Sequence, residues 1–361
     1  MPKHNIYVTK TFLPPKEEYL YYIDRIWESD QLTNQGPLLK KFEASIKDYL
    51  NVNDFQFVTN GTLALQVAIE ALKLSEGEII TTPFSYVATT SSILWQNNTP
   101  VFVDIEADTL CIDAGKIEEA ITPMTTAILA VHVFGNPCNV EKIEAIATKH
   151  GLKVIYDGAH AFGVEYKGQS LFNYGDISIC SFHATKIFHT IEGGGIFSND
   201  KNIAQTVDLI KRFGHNHDDH VLLGLNAKAS EFQAAMGLTN LGHISEIIQL
   251  RKNIFNIYDE NLKNDVKKIV FNKNATQNYS YYPVIFANEE KLMRAIKLLG
   301  EGNIYPRRYF YPSLNKISYI DGAHCPISED IASRVLCLPL YADLSAKDAR
   351  RIADIVNHSQ L

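Results

Sequence analysis

The sequence predicts an α/β fold: a large domain with a mainly parallel seven-stranded sheet covered by helices, followed by a smaller C-terminal α+β domain. Two observations predict the sheet. From about residue 55, short apolar runs alternate with stretches that are apolar at helical spacing. Those runs are apolar throughout rather than at every second position, as expected of strands buried on both faces. A third observation sets the smaller domain apart: after about residue 200 helical patterns dominate and the strand patterns become sparse.

The elements follow in order. "FQFVT" (55–59) reads as a strand and "LALQVAIEALKL" as the helix after it. "EIITTP" (78–83) is followed by the helical "YVATTSSILWQ". "TPVFVDI", "TAILAVHVF", "KVIYDGA", "ISICSF" and "GGIFSND" continue the strand series, with helical patterns such as "NVEKIEAIATKH" between several of them. One long helical stretch is expected from Ser230 to Leu262. "KKIVF" and "YSYYPVIFA" then read as strands, and "EEKLMRAIKLLG" and "AKDARRIADIVNH" as helices. The two domains are expected at residues 1–244 and 245–361. Near the N-terminus, "EEYLYYIDRIW" and "PLLKKFEASIKDYL" are helical patterns that pack on the sheet or against a partner chain.

Composition narrows the function. With 46% hydrophobic and 21% charged residues, the 361-residue chain can bury a sizeable core without covalent staples. A net charge of −7 argues against a nucleic-acid partner, which favours a basic stripe. Cys111, Cys138, Cys180, Cys325 and Cys337 are odd in number, widely spaced and never in a CxxC pair, so reduced thiols are expected and no zinc site. No window approaches the ~18 apolar residues of a membrane span, and the N-terminus lacks a signal-peptide core. A cytoplasmic protein with no membrane partner is expected.

Ligands of such sheets collect beyond the carboxyl ends of the strands. "VTNGTLAL" places Asn60, Gly61 and Thr62 at a strand-to-helix junction, where free N–H groups and the helix dipole suit a phosphate, or where Asn60 or Thr62 simply caps the helix. Tyr86, just past the second strand, can stack on a planar ring or join the core. Asp157 ends an apolar strand, with His160 three residues on; either Asp157 caps a helix beside a surface histidine, or it is a buried carboxylate that needs a partner, for which a protonated ring nitrogen is a good one. Ser181 follows the apolar "ISIC" and Lys186 lies five residues on in "SFHATK", either as an exposed loop charge or as a reactive amine. A partly desolvated lysine has a lowered pKa and can react with an aldehyde or ketone. A phosphate cradle, a stacking ring, a strand-end aspartate and a lysine together are what pyridoxal 5′-phosphate requires.

The pieces "LTNQGP", "NGTLAL", "PFSYVATT", "VFVDI", "VHVFGNP", "DGAHAFG", "SFHATK…EGGG" and "LNAKASEFQAAMG" resemble, in order, the DegT/DnrJ/EryC1/StrS sugar aminotransferases, a branch of the fold-type I enzymes that use this cofactor. The resemblance implies pyridoxal 5′-phosphate as cofactor, with pyridoxamine 5′-phosphate as its second form. It implies that Lys186 is the catalytic amine joined to the cofactor's aldehyde. Asp157 then pairs with the ring nitrogen, His160 lies near the phenolic oxygen and Tyr86 stacks on the ring. Gly61, Thr62 and Ser181 hold the phosphate, and Asn226 reaches it from the neighbouring subunit of a homodimer. The substrate-binding candidates are His183 and, from "IYPRRYFYPSLN" (304–315), Arg308, Tyr309 and Tyr311. Rings and guanidinium groups suit a sugar, a nucleobase and a diphosphate.

The implied reaction takes an amino group from L-glutamate to a nucleotide-linked keto sugar, at C4 of dTDP-4-keto-6-deoxy-D-glucose, for O-antigen or another surface polysaccharide. Amination at C3, a sugar dehydratase and a non-catalytic cofactor-binding regulator are the alternatives. Relatives with histidine in place of the lysine are dehydratases, so Lys186 favours amino transfer. Two features depart from the family pattern: Ile191 stands where many members have glycine, and Ala227 where a bulkier residue is common. The glycines from Gly193 are expected to form a tight turn. His215, His217, Asp218, Asp219 and His220 lack the i, i+4 spacing of helical metal ligands and read as a polar loop.

Overall fold

The computed structural model describes residues 5–263, 265–320 and 322–360. Its main sheet has seven strands: β1 (Gln56–Val58), β2 (Glu78–Thr81), β3 (Thr99–Phe102), β4 (Thr125–Val131), β5 (Lys153–Asp157), β6 (Ile177–Ser181) and β7 (Gly194–Phe197). They lie in the order β1-β7-β6-β5-β4-β2-β3. All neighbours are parallel except β7, which runs antiparallel to both β1 and β6. The mainly parallel sheet expected from continuous apolar runs is present, and strands such as β4 and β7 are buried almost along their whole length.

Helices α1 (Lys16–Ser29) and α2 (Pro37–Leu50) precede the sheet. Leu38, Leu39, Phe42, Ile46 and Leu50 recur at helical spacing and are buried. Phe42 packs at 4.7 Å from Phe57 of β1, ring centre to ring centre, so α2 covers this sheet rather than waiting for a partner. α3 (Gly61–Ala71), α4 (Val87–Trp95), α5 (Val140–His150) and α6 (Lys201–Ile210) follow strands.

The helical stretch expected from Ser230 to Leu262 is two helices, α7 (Glu231–Leu241) and α8 (Ile244–Asn261). A Ser230–Gln233 capping box starts α7. At the break, the Gly242 and His243 amides bond to Thr239 and Asn240, three residues back, which tightens and ends the helix while the apolar period carries on in α8. A fully buried carboxylate ties α7 to α2: Glu231 accepts the Leu38 and Leu39 N–H groups at 2.7 and 2.9 Å. It sits at the positive end of α2.

The C-terminal region carries α9 (Glu289–Glu301), α10 (Pro326–Arg334) and α11 (Ala346–Ser359) around an antiparallel sheet of β8 (Lys267–Lys268), β9 (Tyr282–Ile285) and β10 (Val335–Leu338). Residues of α8, α9 and α11 form a core of their own, including Phe255, Tyr258, Leu292, Leu299, Ile352 and Val356. Ile285, Phe310, Val335 and Cys337 instead join the core under the large sheet. Asp104, just past β3, accepts the Ile327 and Ser328 amides and so caps α10. Among the described residues no helix is long and apolar enough to cross a membrane.

Candidate functional site

The site forms where β1, β2, β5 and β6 end. β1 runs through Thr59 into α3, and Asn60 caps that helix by accepting the Leu63 N–H at 2.8 Å. The Gly61 and Thr62 amides precede the first intrahelical bond and point out of the helix start, where the dipole is positive. A side chain on Gly61 would place Cβ 3.0 Å from Ser181 Cβ and 3.3 Å from its Cα. Glycine is therefore what lets α3 begin against the end of β6.

Asp157 closes β5 and is buried, its carboxylate oriented by two bonds. Thr89 donates to Oδ2 at 2.8 Å, and the Ala159 amide donates to Oδ1 at 3.0 Å. Burial pushes the Asp157 pKa up; the two donors and the Lys186 ammonium oppose that shift. Thr89 itself is in contact with Ser85, oxygen to oxygen at 2.8 Å.

His160 is buried too, and burial lowers its pKa well below the usual range, so the ring is neutral. Its Nδ1 accepts the Phe134 N–H at 3.2 Å, which assigns the proton to Nε2. The ring stacks on Phe310 at 5.8 Å and meets the edge of Tyr281 at 4.9 Å. Its carbonyl accepts from Asn278 and Ser280 at 2.8 and 2.9 Å.

Lys186 keeps part of its surface open to the cavity, but desolvation lowers its pKa, with Asp157 acting in the opposite sense. Its Nζ lies 6.0 Å from the centre of the Tyr281 ring. The segment around it is firmly held. The Lys186 amide donates to the His183 carbonyl, and Thr190 closes back on the Phe182 carbonyl, each at 2.9 Å. His183 Nε2 faces Glu192 at 3.5 Å. His189 lies away from the cavity, paired with the Phe12 carbonyl at 2.7 Å. The expected glycine turn is built differently. Ile191 is the residue in the left-handed region, at φ 70°. Gly194 is needed for close approach, since a Cβ there would come within 2.4 Å of the Asn60 carbonyl oxygen.

A cavity of about 410 Å³ gathers Gly61, Thr62, Tyr86, Asp157, His160, Ser181, His183, Lys186 and Tyr309. Its size suits a small-molecule site. A larger, open depression beside Asn53, Lys201 and Arg212 has none of these groups, so chemistry rather than size identifies the site. Three expected residues lie outside the cavity lining. Arg308 turns away, donating to Glu289 and the Ser333 carbonyl at 2.7 Å each. Its guanidinium also lies 3.5 Å from the centre of the Tyr311 ring, and Tyr311 is exposed. Arg307, paired with Cys337, faces the cavity instead, and Tyr309 and Phe310 of the turn that follows line it as well. Asn226 is exposed, its side chain accepting from Lys228 Nζ at 2.8 Å.

Sequence reasoning missed Thr89, Glu192, Tyr281 and Arg307, all of which line the cavity. Thr89 carried a usable signal: it stands three residues after Tyr86, one helical turn away on the same face. His215–Asn216 and Asp219–His220 pair as a short hairpin. Among the described residues no group of three or more His, Cys, Asp or Glu is placed to hold a metal ion.

Residues 15–357 match the model of the DegT/DnrJ/EryC1/StrS aminotransferase family, and the chain belongs to that family. It is 43% identical over 350 residues to the dTDP-4-amino-4,6-dideoxy-D-glucose transaminase of Shigella dysenteriae, covering 94% of this chain and 95% of that one. It is 40% identical over 370 residues to the Escherichia coli protein of the same name, covering 99% of both. Among solved structures it is similar to DesI in the presence of its TDP-sugar product, with a TM-score of 0.94 at 30% identity, covering 99% of this chain and 93% of that one.

Proposed function

We propose that the protein is a pyridoxal 5′-phosphate-dependent aminotransferase that moves the amino group of L-glutamate to C4 of dTDP-4-keto-6-deoxy-D-glucose. The products are 2-oxoglutarate and dTDP-4-amino-4,6-dideoxy-D-glucose, a building block for surface polysaccharide such as O-antigen. One observation carries the reading: the desolvated amine of Lys186, the buried carboxyl of Asp157 and the open start of α3 share one cavity. Similarity to two transaminases named for this product supports the choice of substrate.

The residues fit the cofactor. The Gly61 and Thr62 amides and the Ser181 hydroxyl form a cradle for its phosphate, open only because residue 61 has no side chain. Asp157, whose carboxylate form Thr89 and Ala159 favour against the upward push of burial, is suited to pair with a protonated ring nitrogen. Tyr86 and His160 line the same cavity, where Tyr86 would cover one face of the ring and the Nε2–H of His160 would be available to the phenolic oxygen. When bound, the cofactor supplies an aldehyde that takes up the amino group and a ring that accepts the electron pair left by the departing α-proton. Lys186 does the proton work. Its lowered pKa makes the neutral amine available to remove the proton from the α-carbon of glutamate and later to deliver one to C4 of the sugar.

The same reading makes the enzyme a cytoplasmic homodimer in which Asn226 completes the partner's phosphate site. Asn226 lies in an exposed stretch beside Phe213, Val221 and Leu223, apolar side chains that a partner would cover. The division into domains at residues 1–244 and 245–361 belongs to this proposal as well.

The test is direct. Purified protein loaded with pyridoxal 5′-phosphate should release 2-oxoglutarate from L-glutamate, and then aminate one member of a panel of nucleotide keto sugars, identified by mass spectrometry and NMR. Amination at C3, or preference for a UDP- or GDP-sugar, overturns the substrate. A dehydrated sugar without nitrogen overturns the reaction. Failure to bind the cofactor overturns the whole reading.

A further inference from the structure

The loop that carries His160 is gripped from behind by a segment to which the proposed chemistry gives no part. Residues 278–281 lead into β9 of the C-terminal region. The Asn278 side chain donates to the His160 carbonyl at 2.8 Å and to the Phe162 carbonyl at 3.0 Å. Its Oδ1 accepts the Ser280 N–H at 3.1 Å, which leaves the Ser280 hydroxyl proton for the His160 carbonyl, 2.9 Å away. Both lone pairs of that carbonyl are then used. Asn278, Ser280 and His160 are all buried. Tyr279, between the two donors, is held in the left-handed region at φ 55°, a conformation that costs free energy in a tyrosine. Arg251 of α8, itself buried, locks it there by donating to the Tyr279 and Ser280 carbonyls at 2.8 and 2.5 Å. The next residue, Tyr281, lines the cavity and meets the His160 ring.

We propose that Asn278 and Ser280 are positioning residues for the cofactor, fixing the His160 main chain so that the Nε2–H of its ring stays available to the phenolic oxygen. The inference rests on the reading above, in which His160 meets that oxygen. The ring is held by one hydrogen bond, from the Phe134 amide to Nδ1, and by the rings of Phe310 and Tyr281. Aromatic contacts tolerate offsets between rings, so they do not fix where the ring sits. Hydrogen bonds weaken steeply once their angle is lost, so a donor that serves the cofactor has to be held in direction as well as in distance. The two bonds to the His160 carbonyl supply that hold, and a third, from Asn278 to Phe162, keeps the following turn of the loop in place. The segment therefore acts on the cofactor through His160 without touching it. Its own rigidity comes from Arg251, which belongs to a helix outside the large sheet.

The experiment titrates the apo-protein with pyridoxal 5′-phosphate and records the absorbance band of the bound cofactor. Ser280→Ala, Ser280→Thr and Asn278→Ala are each made in the parent and in a His160→Phe background, where the ring can still stack on Phe310 but has no N–H to give. Loss of one hydrogen bond predicts that Ser280→Ala weakens cofactor binding by up to about tenfold, and loss of two that Asn278→Ala weakens it by about 10- to 100-fold. The band should move in the direction that His160→Phe alone moves it. Ser280→Thr, which keeps the hydroxyl, should recover most of the loss. In the His160→Phe background the same substitutions should change the affinity by less than about twofold, because the residue they act through is gone. If Asn278→Ala does not fold, the two Ser280 variants carry the test. Parental affinity and an unmoved band in Ser280→Ala overturn the proposal. So does an equal loss of affinity in both backgrounds, which would make the segment a general support of the fold. If the unmodified protein binds no pyridoxal 5′-phosphate, the functional reading fails first and takes this inference with it.

Discussion

Replacing Thr89 with valine removes one hydroxyl and leaves the volume of the side chain almost unchanged. The structure says what is lost. The Thr89 hydroxyl is one of two donors to the buried Asp157 carboxylate, at 2.8 Å, the other being the Ala159 amide at 3.0 Å. Burial already favours the protonated carboxyl, and the two donors work against it. A hydrogen bond to a charged group contributes about 1.5–3 kcal/mol. If Asp157 must be ionised to pair with the ring nitrogen, the loss translates into cofactor binding weaker by roughly 10- to 100-fold. The sign with pH follows. Without Thr89 the Asp157 pKa rises further, so the variant loses its carboxylate at a higher pH than the parent and its deficit grows as the pH is lowered. Titration of apo-enzyme with pyridoxal 5′-phosphate, followed by absorbance across a pH series, measures both effects. Thr89→Ser keeps the donor and should behave like the parent. Thr89→Val with parental affinity and an unmoved pH profile would refute the argument that this hydroxyl holds Asp157 in its working state.

Four further outcomes are expected. Lys186→Ala should bind the cofactor without a covalent bond and turn over no substrate; activity near that of the parent in a coupled 2-oxoglutarate assay would contradict its role. Asp157→Asn should melt higher than the parent as apo-enzyme near neutral pH. The folded-state pKa of Asp157 is raised, so its contribution to stability is complete below the unfolded value of about 3.9 and is lost as the pH climbs through the folded value. The same variant should bind cofactor poorly, and equal melting of the two apo-proteins across pH 4–8 would count against this account. Glu231→Gln leaves one α2 amide facing an NH₂ group in a fully buried place and should cost about 2–4 kcal/mol in urea unfolding; a loss under about 1 kcal/mol would mean that water or a shift of α2 replaces the bond. Ile191→Gly should stabilise the protein by up to about 1 kcal/mol, because a β-branched residue at φ 70° is strained; a lower denaturation midpoint would show that its side chain contributes more than the strain costs.

The large sheet was legible because its information is local. Each strand is a short, fully apolar run followed by a helix period, and burial on both faces demands that pattern. Strand ends were legible for the same reason: Asp157 and Ser181 stand where an apolar run stops. β10 is only four residues, "VLCL", flanked by a helix, and no period distinguishes it. The break between α7 and α8 left the apolar spacing intact, so only the hydrogen bonds at Gly242 and His243 disclose it. The three glycines from Gly193 resembled a turn, whereas they are small because β1, α3 and the Phe55 ring crowd them. At Gly194 and Gly195 the nearest of these, Asn60 and Phe55, lie more than a hundred positions away, whereas Gly193 is met first by Thr190.

The hardest part to read was the one that decides which arginine faces the cavity. Arg307 and Arg308 are identical in type and adjacent in sequence, and either suits an anionic ligand. Their directions are set by the pairing of Arg307 with Cys337, thirty residues later, in the strand that local pattern does not reveal. Once that pairing exists, Arg308 falls on the side of Glu289 and becomes part of the packing against α9 and α10, while Arg307 is left pointing at the substrate space. A one-residue slip of this segment would exchange the two and place Arg308 toward Lys186. The register of a short antiparallel contact therefore determines which of two equivalent charges faces the cavity.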